Sequence, residues 1–205
     1  MHISEGVLSG PVLLSSAALA AAGVAIGLKR MHVRKVPEVA VLTSAFFVVS
    51  LVHVPVGPTS VHLLMNGLLG VLLGWMVFPA IFVAVMLQAL LFQFGGFTTL
   101  GINTLVMAVP AIVVYYLFGA AIKHGNQHQA LATGFAAGAC SIILGGLITA
   151  LCLCLTGEAF YTAAKAAFVA HLPLMIIEGV VTSFCASFLK KVKPEILAIP
   201  MVELE

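Results

Sequence analysis

Charge is the scarcest thing in this 205-residue chain. Asp, Glu, Lys and Arg make up 8% of it, against about 25% in an ordinary globular domain. That excludes a conventional soluble fold, and a formal net charge of +2 supplies no basic surface for nucleic acid. Catalytic motifs are missing too. No G-x-x-x-x-G-K-[ST] phosphate loop occurs, so the chain is not expected to hydrolyse ATP. There is no H-E-x-x-H and no plausible Ser/His/Asp arrangement, so it does not read as an enzyme. No row of membrane carboxylates and no inverted repeat suggest a self-powered transporter. Glu5 precedes the first apolar run with no Lys or Arg beside it, so a cleaved signal peptide is not expected. The cysteines, Cys140, Cys152, Cys154 and Cys185, lie in apolar stretches. Cys152 and Cys154 are too close for zinc-type spacing, and all four read as small buried hydrophobes.

What is abundant is apolar sequence: 62% hydrophobic, with a mean hydropathy of +1.20. The expected class is all-α integral membrane, with residues 1–205 forming one compact transmembrane domain. A crossing helix needs about 20 apolar residues. Seven segments qualify: 8–28, 39–56, 61–77, 78–94, 103–122, 130–155 and 167–189. The third and fourth are short and meet near Pro79. Lys29, Arg30, Arg34 and Lys35 crowd the first connection, Lys123 lies in the fifth, and Lys190, Lys191 and Lys193 follow the last span. The positive-inside rule then puts the N-terminus outside and the C-terminus in the cytoplasm, which an odd number of crossings satisfies.

That orientation gathers the unusual residues on the outer side. Segment 95–103 is too apolar for a free loop and too rich in Gly for a helix. It reads as irregular backbone folded back into the bundle. In the first span Ala17, Ala21 and Ala25, and likewise Gly23 and Gly27, recur every four residues. Such ridges serve close packing within the bundle or docking of another membrane subunit.

Met1-His2 opens the segment 1–7. A free amine, the amide of a second residue and a His side chain there form a chelator. Amine and amide close a five-membered ring with a metal; amide and imidazole close a six-membered one. Three nitrogens lie nearly in a plane with one corner open, a geometry suited to Ni(II) or Cu(II) and open to Co(II). His2 is too bulky for routine removal of Met1, so the amine in question is that of Met1. The plainer reading is that His2 simply follows the start.

His62, about one residue into the third span, can supply the fourth nitrogen; otherwise it is an interfacial or core histidine. His53, near the outer end of the second span, is the rival. His171 starts the last span and reads as structural or supporting. Ligating histidines usually give their other ring nitrogen to a fixed acceptor. Ser60, Thr98, Thr99 and Asn103 are candidates, helix capping being equally open for Ser60 and Asn103. Glu178 lies mid-span, where an ionisable group is expensive. It anchors a histidine, serves gating or makes a structural hydrogen bond. Gln88 and Gln93 are weaker versions of that case. His32, His124 and His128 read as cytoplasmic and solvated.

Several stretches together resemble one family. They are Met1-His2-Ile3-Ser4-Glu5-Gly6-Val7-Leu8-Ser9, Gly57-Pro58-Thr59-Ser60-Val61-His62-Leu63-Leu64 and Phe94-Gly95-Gly96-Phe97-Thr98-Thr99-Leu100-Gly101-Ile102-Asn103. His171-Leu172-Pro173 and Ile177-Glu178-Gly179 agree with them. The chain resembles the CbiM/NikM family, the membrane substrate-binding (S) subunits of energy-coupling-factor (ECF) transporters for cobalt or nickel. The resemblance implies a seven-helix bundle, a six-helix S-component core plus an N-terminal helix. It implies that the N-terminal segment plugs the bundle from outside. It implies a metal held by Met1, His2 and His62, with Co(II) or Ni(II) as transported substrate and no permanent cofactor. The implied partners are a transmembrane coupling (T) subunit, two ABC-type ATPases and often a small accessory membrane protein. The implied setting is a prokaryotic plasma membrane, the inner one in a Gram-negative cell, with the metal destined for cobalamin synthesis or nickel enzymes.

Two other readings stand beside this one. An S-component for an organic vitamin would want aromatic stacking residues near the outer cavity, and Trp75 falls at the inner end. A membrane metalloenzyme has only Glu178 in its favour. Four nitrogens do not choose cobalt over nickel.

Overall fold

In a bilayer the backbone must satisfy its own hydrogen bonds, which leaves helices as the default for long apolar runs. The computed structural model describes residues 2–197 and is mostly helical. In chain order the helices are α1 (Gly10–Lys29), α2 (Val36–Val49), α3 (Asn66–Leu73), α4 (Val77–Phe92), α5 (Leu100–His124), α6 (Gln127–Thr156), α7 (Tyr161–Val192) and the short α8 (Pro194–Leu197). Five stretches among the described residues are long and apolar enough to cross a membrane, α3 and α4 counting together as Asn66–Phe92. Large apolar side chains stand exposed on the outside of the bundle, including Leu14, Leu117, Leu151, Ile176 and Phe188. An apolar exterior of that extent suits lipid, not water.

The predicted spans differ from these helices in four places. Segment 39–56 is not one helix: α2 ends at Val49, and Val48 O accepts from Leu51 N to close it. Segment 61–77 likewise begins as strand. Between them lies a hairpin of β1 (His53–Val56) and β2 (Thr59–His62), with His53 opposite His62 and Val56 opposite Thr59. Its two-residue loop starts at Gly57 with φ of +58°, as a II′ turn requires. Pro58 and β-branched neighbours in a short run favour this hairpin over helix. The irregular 95–103 segment is shorter than expected, since 100–103 is already the first turn of α5. His171 does not start α7 but lies ten residues inside it, because the helix begins at Tyr161.

The junction of α3 and α4 is a sharp bend. Gly74 sits there with φ of +51° and ψ of −130°, outside helical space. Gln88 near the end of α4 and His62 just before α3 both touch the His2 ring, so both helices have that end of the bundle in common. Every residue of α3 is buried, and it is wedged among α5, α6 and α7. The glycine row of α1 packs inside the bundle, where a Cβ on Gly23 would overlap the Phe78 ring and one on Gly27 the Pro79 ring, while Ala17, Ala21 and Ala25 stand exposed. At the opposite end, Arg30 lies 5.2 Å over Trp75, and Lys190 Nζ donates to Lys123 O at 2.9 Å. The cations that set the predicted sidedness thus gather at one end.

Candidate metal site

The N-terminal segment is threaded into the bundle alongside the two-stranded hairpin. Ile3 bridges antiparallel to Thr59 on the free edge of β2. Ser60 N donates to His2 O at 3.2 Å, and Ser4 N to Pro58 O at 3.2 Å. Thr59 Oγ1 adds a bond to His2 O at 2.9 Å. On the other side Asn103 acts as a surrogate peptide: its Oδ1 accepts from Ile3 N at 2.8 Å and its Nδ2 donates to Ile3 O at 3.1 Å. Ile3 itself is fully buried. Pairing on both edges overcomes the usual fraying of a terminus.

The result is two buried imidazoles face to face. The rings of His2 and His62 stack with centroids 4.7 Å apart and planes 24° from parallel, both side chains shielded from solvent. His2 Nε2 lies 2.9 Å from Gln88 Oε1. Burial lowers the pKa of His2 to about 3 and holds His62 well below the usual histidine range. Both rings are therefore neutral at pH 7 and carry lone pairs for a metal.

A loop covers this pair. Gln93 ends α4 with φ of +58°, and the Phe94 ring packs 6.0 Å from His2 and 4.2 Å from His53. Glu5 ties the plug to the loop by accepting from Thr98 N at 2.9 Å and Thr98 Oγ1 at 3.2 Å. These bonds lower the Glu5 pKa. Beneath, Glu178 Oε1 accepts from Leu64 N and, at 2.7 Å, from Met65 N. That carboxylate holds the turn between β2 and α3, where Met65 takes left-handed φ of +53°, and so fixes where His62 stands.

The residues singled out in the sequence take distinct places. Met1 lies outside the described residues. His2 and His62 come together. His62 is not in a helix; it ends β2. His53 is its partner across the hairpin, half-buried, with Nδ1 3.1 Å from Leu51 O. His171 is buried in α7 with Nδ1 2.6 Å from Ala167 O. Asn103 and Ser60 hold the backbone of the plug, Thr98 bonds Glu5, and Thr99 Oγ1 accepts from Asn103 Nδ2 at 3.1 Å. The acceptor facing the His2 ring is Gln88, which the sequence presents only as a weaker case of a membrane polar residue than Glu178. Its signal was present, an amide in a run of apolar residues on α4, but nothing in sequence tied position 88 to position 2. Glu5 belongs to the Met1–Ser9 stretch that resembles the family, but nothing in the sequence tied it to Thr98.

Loss of the Asn103 side chain isolates both polar atoms of Ile3 in a buried setting, a cost of about 1–3 kcal/mol for each unsatisfied group. Hydrogen exchange at the Ile3 amide is expected to quicken roughly ten- to a hundredfold in Asn103→Ala. Unchanged protection would show that the plug is held by β2 alone.

The chain matches the family described as cobalt uptake substrate-specific transmembrane region, CbiM, over residues 2–196. A Haemophilus influenzae protein with a metal-transport description is 40% identical over 199 residues, spanning 96% of this chain and 97% of its own. The fused nickel transport protein NikMN of Rhodobacter capsulatus is 30% identical over 223 residues, spanning 97% of this chain and 64% of its own. Among solved structures, the crystal structure of a transition metal transporter superposes with a TM-score of 0.76 at 26% identity, covering 94% of this chain and 93% of that one. A correspondence that leaves almost no residue aside, in sequence and in fold, places this multi-pass membrane protein in cobalt and nickel transport: the chain belongs to the CbiM family.

Proposed function

We propose that this chain is the metal-capturing subunit of an ECF-type importer. It binds Ni(II) or Co(II) through four nitrogens in a plane: the Met1 amine, the deprotonated His2 amide, His2 Nδ1 and the His62 imidazole. The observation that carries the reading is the His2 ring, delivered by a threaded segment and stacked on His62 with both rings buried. Among the described residues no three His, Cys, Asp or Glu side chains come close enough to hold an ion. Two imidazoles alone make a weak site. Main-chain nitrogens of the N-terminus are the donors at hand to complete it, and they favour square-planar ions.

The metal arrives from the outer side, where the plug and the Phe94 loop close the site. Release toward the cytoplasm requires the plug or the bundle to move. No phosphate loop lies in this chain, so ATP hydrolysis falls to two ABC-type ATPases acting through a T subunit, with a small accessory membrane protein. The fused architecture of the NikMN relative supports such partnership. Seven crossings, an outside N-terminus, a cytoplasmic C-terminus and a prokaryotic plasma membrane complete the picture. Ser60, Thr98, Thr99, Asn103 and Glu178 serve by holding plug, loop and His62 in register.

Purified protein titrated with Ni(II) should develop the d–d absorption of a planar nitrogen site at one ion per chain. The affinity should fall as pH falls, since amine and amide must lose protons to bind. Anomalous scattering at the Ni or Co edge should place the ion between the two imidazoles. An octahedral spectrum, or an ion away from His2, would overturn the reading.

A further inference from the structure

We infer that Gln88 is a positioning residue that sets the tautomer of His2, keeping the ring proton on Nε2 so that Nδ1 is the nitrogen presented to the metal. The inference rests on the proposal that His2 is a ligand, and it adds which atom binds and what decides it.

The direction of the chain of hydrogen bonds is set from the end of α2. Helix termini leave carbonyls without a donor. Here Ser50 N bonds Phe46 O, and Leu51 N bonds Val48 O. The Phe47 carbonyl lies between them, and the Ser50 hydroxyl donates to it at 2.9 Å. With its only proton committed there, Ser50 Oγ can accept alone. It accepts from Gln88 Nε2. That orients the Gln88 amide, because Oε1 must then face the other way. It faces His2 Nε2 at 2.9 Å. A carbonyl oxygen only accepts, so the proton of a neutral His2 must sit on Nε2. Gln88 and Ser50 are both completely buried, and no water competes for these positions as it would on a surface.

The alternative amide orientation would aim Nε2–H of Gln88 at the ring and draw the Ser50 hydroxyl away from Phe47 O. It would leave a helix-end carbonyl unpaired in an apolar surround, which lipid-embedded structure avoids. It would also protonate the wrong nitrogen. From the amide of residue 2, Nδ1 closes a six-membered chelate. Nε2 is one ring atom further away and points at Gln88. Only the Nε2–H tautomer has its lone pair on the chelating side. An amide does this without adding a charge of its own beside the ring.

The test reads the tautomer directly. Full-length protein carrying 15N-histidine, in nanodiscs and free of metal, is compared with Gln88→Leu, Gln88→Glu and Ser50→Ala, with the His62 signal as a check on folding. Wild type should show an unprotonated Nδ1 and a protonated Nε2 at His2. Gln88→Leu should show mixed tautomers and a Ni(II) affinity lower by roughly ten- to a hundredfold, the usual effect of removing a ligand's support. Gln88→Glu, which still accepts, should restore the Nε2–H form and bring the affinity back to within about threefold of wild type on the same scale. Ser50→Ala should shift the tautomer balance in the direction of Gln88→Leu. A proton on Nδ1 in wild type, or a Gln88→Leu protein with unchanged tautomer and affinity, overturns the inference. If wild type shows Nε2–H yet binds no Ni(II), the metal reading fails, and with it the role assigned to Nδ1; the two failures leave different signatures.

Discussion

Adding one residue ahead of Met1 should abolish tight binding of Ni(II) and Co(II). The added residue turns the proposed amine donor into an amide and breaks the five-membered chelate at its origin. It also lengthens a segment whose place is fixed within a residue by its bonds to Thr59, Ser60, Pro58 and Asn103. Loss of supporting residues behind a ligand costs ten- to a hundredfold in affinity. Loss of a ligand should cost more, at least about a hundredfold on that scale. Equilibrium dialysis of Ni(II) against the purified extended protein gives the number. Ile3 exchange protection tells whether the plug is still seated. An extended protein with a seated plug and wild-type affinity would remove the amine from the site.

His62→Ala should have an effect of the same size, while His53→Ala should leave Ni(II) affinity within about threefold of wild type, well short of a lost ligand. The two histidines face each other across the hairpin, so both sit near the site and a sequence argument alone ranks them weakly. Geometry separates them. His62 is buried and stacked on His2. His53 is half-buried, set edge-on against Phe94, with Nδ1 turned to Leu51 O. The planar absorption band should vanish in His62→Ala and persist in His53→Ala. The reverse pattern would move the fourth nitrogen to His53.

Glu178 and Gln88 show how legibility in a membrane chain divides. Both were conspicuous as polar residues in apolar runs, since lipid tolerates such groups only for a reason. Their partners were not predictable. Glu178 bonds the main chain of Leu64 and Met65, over a hundred residues earlier, and main-chain acceptors and donors leave no mark in sequence. Gln88 reaches His2 across 86 residues. The hairpin was missed for a different reason. Four-residue strands of Val, Thr and His inside apolar runs have the same hydropathy as a helix end, and only the turn residues Gly57-Pro58 distinguish them.

Composition and hydropathy by themselves determined that the chain is built of apolar membrane-crossing helices, and residue positions showed where its cations cluster along the chain and that position 2 holds an imidazole. Those properties are local, and a bilayer enforces them residue by residue. The tertiary structure alone decided that residues 2–4 pair along the edge of β2, that His2 lies on His62 and that Gln88 faces its ring. Each of these is a contact between segments remote in sequence. Such contacts follow from how helices and hairpin pack, and no single stretch of chain carries that information.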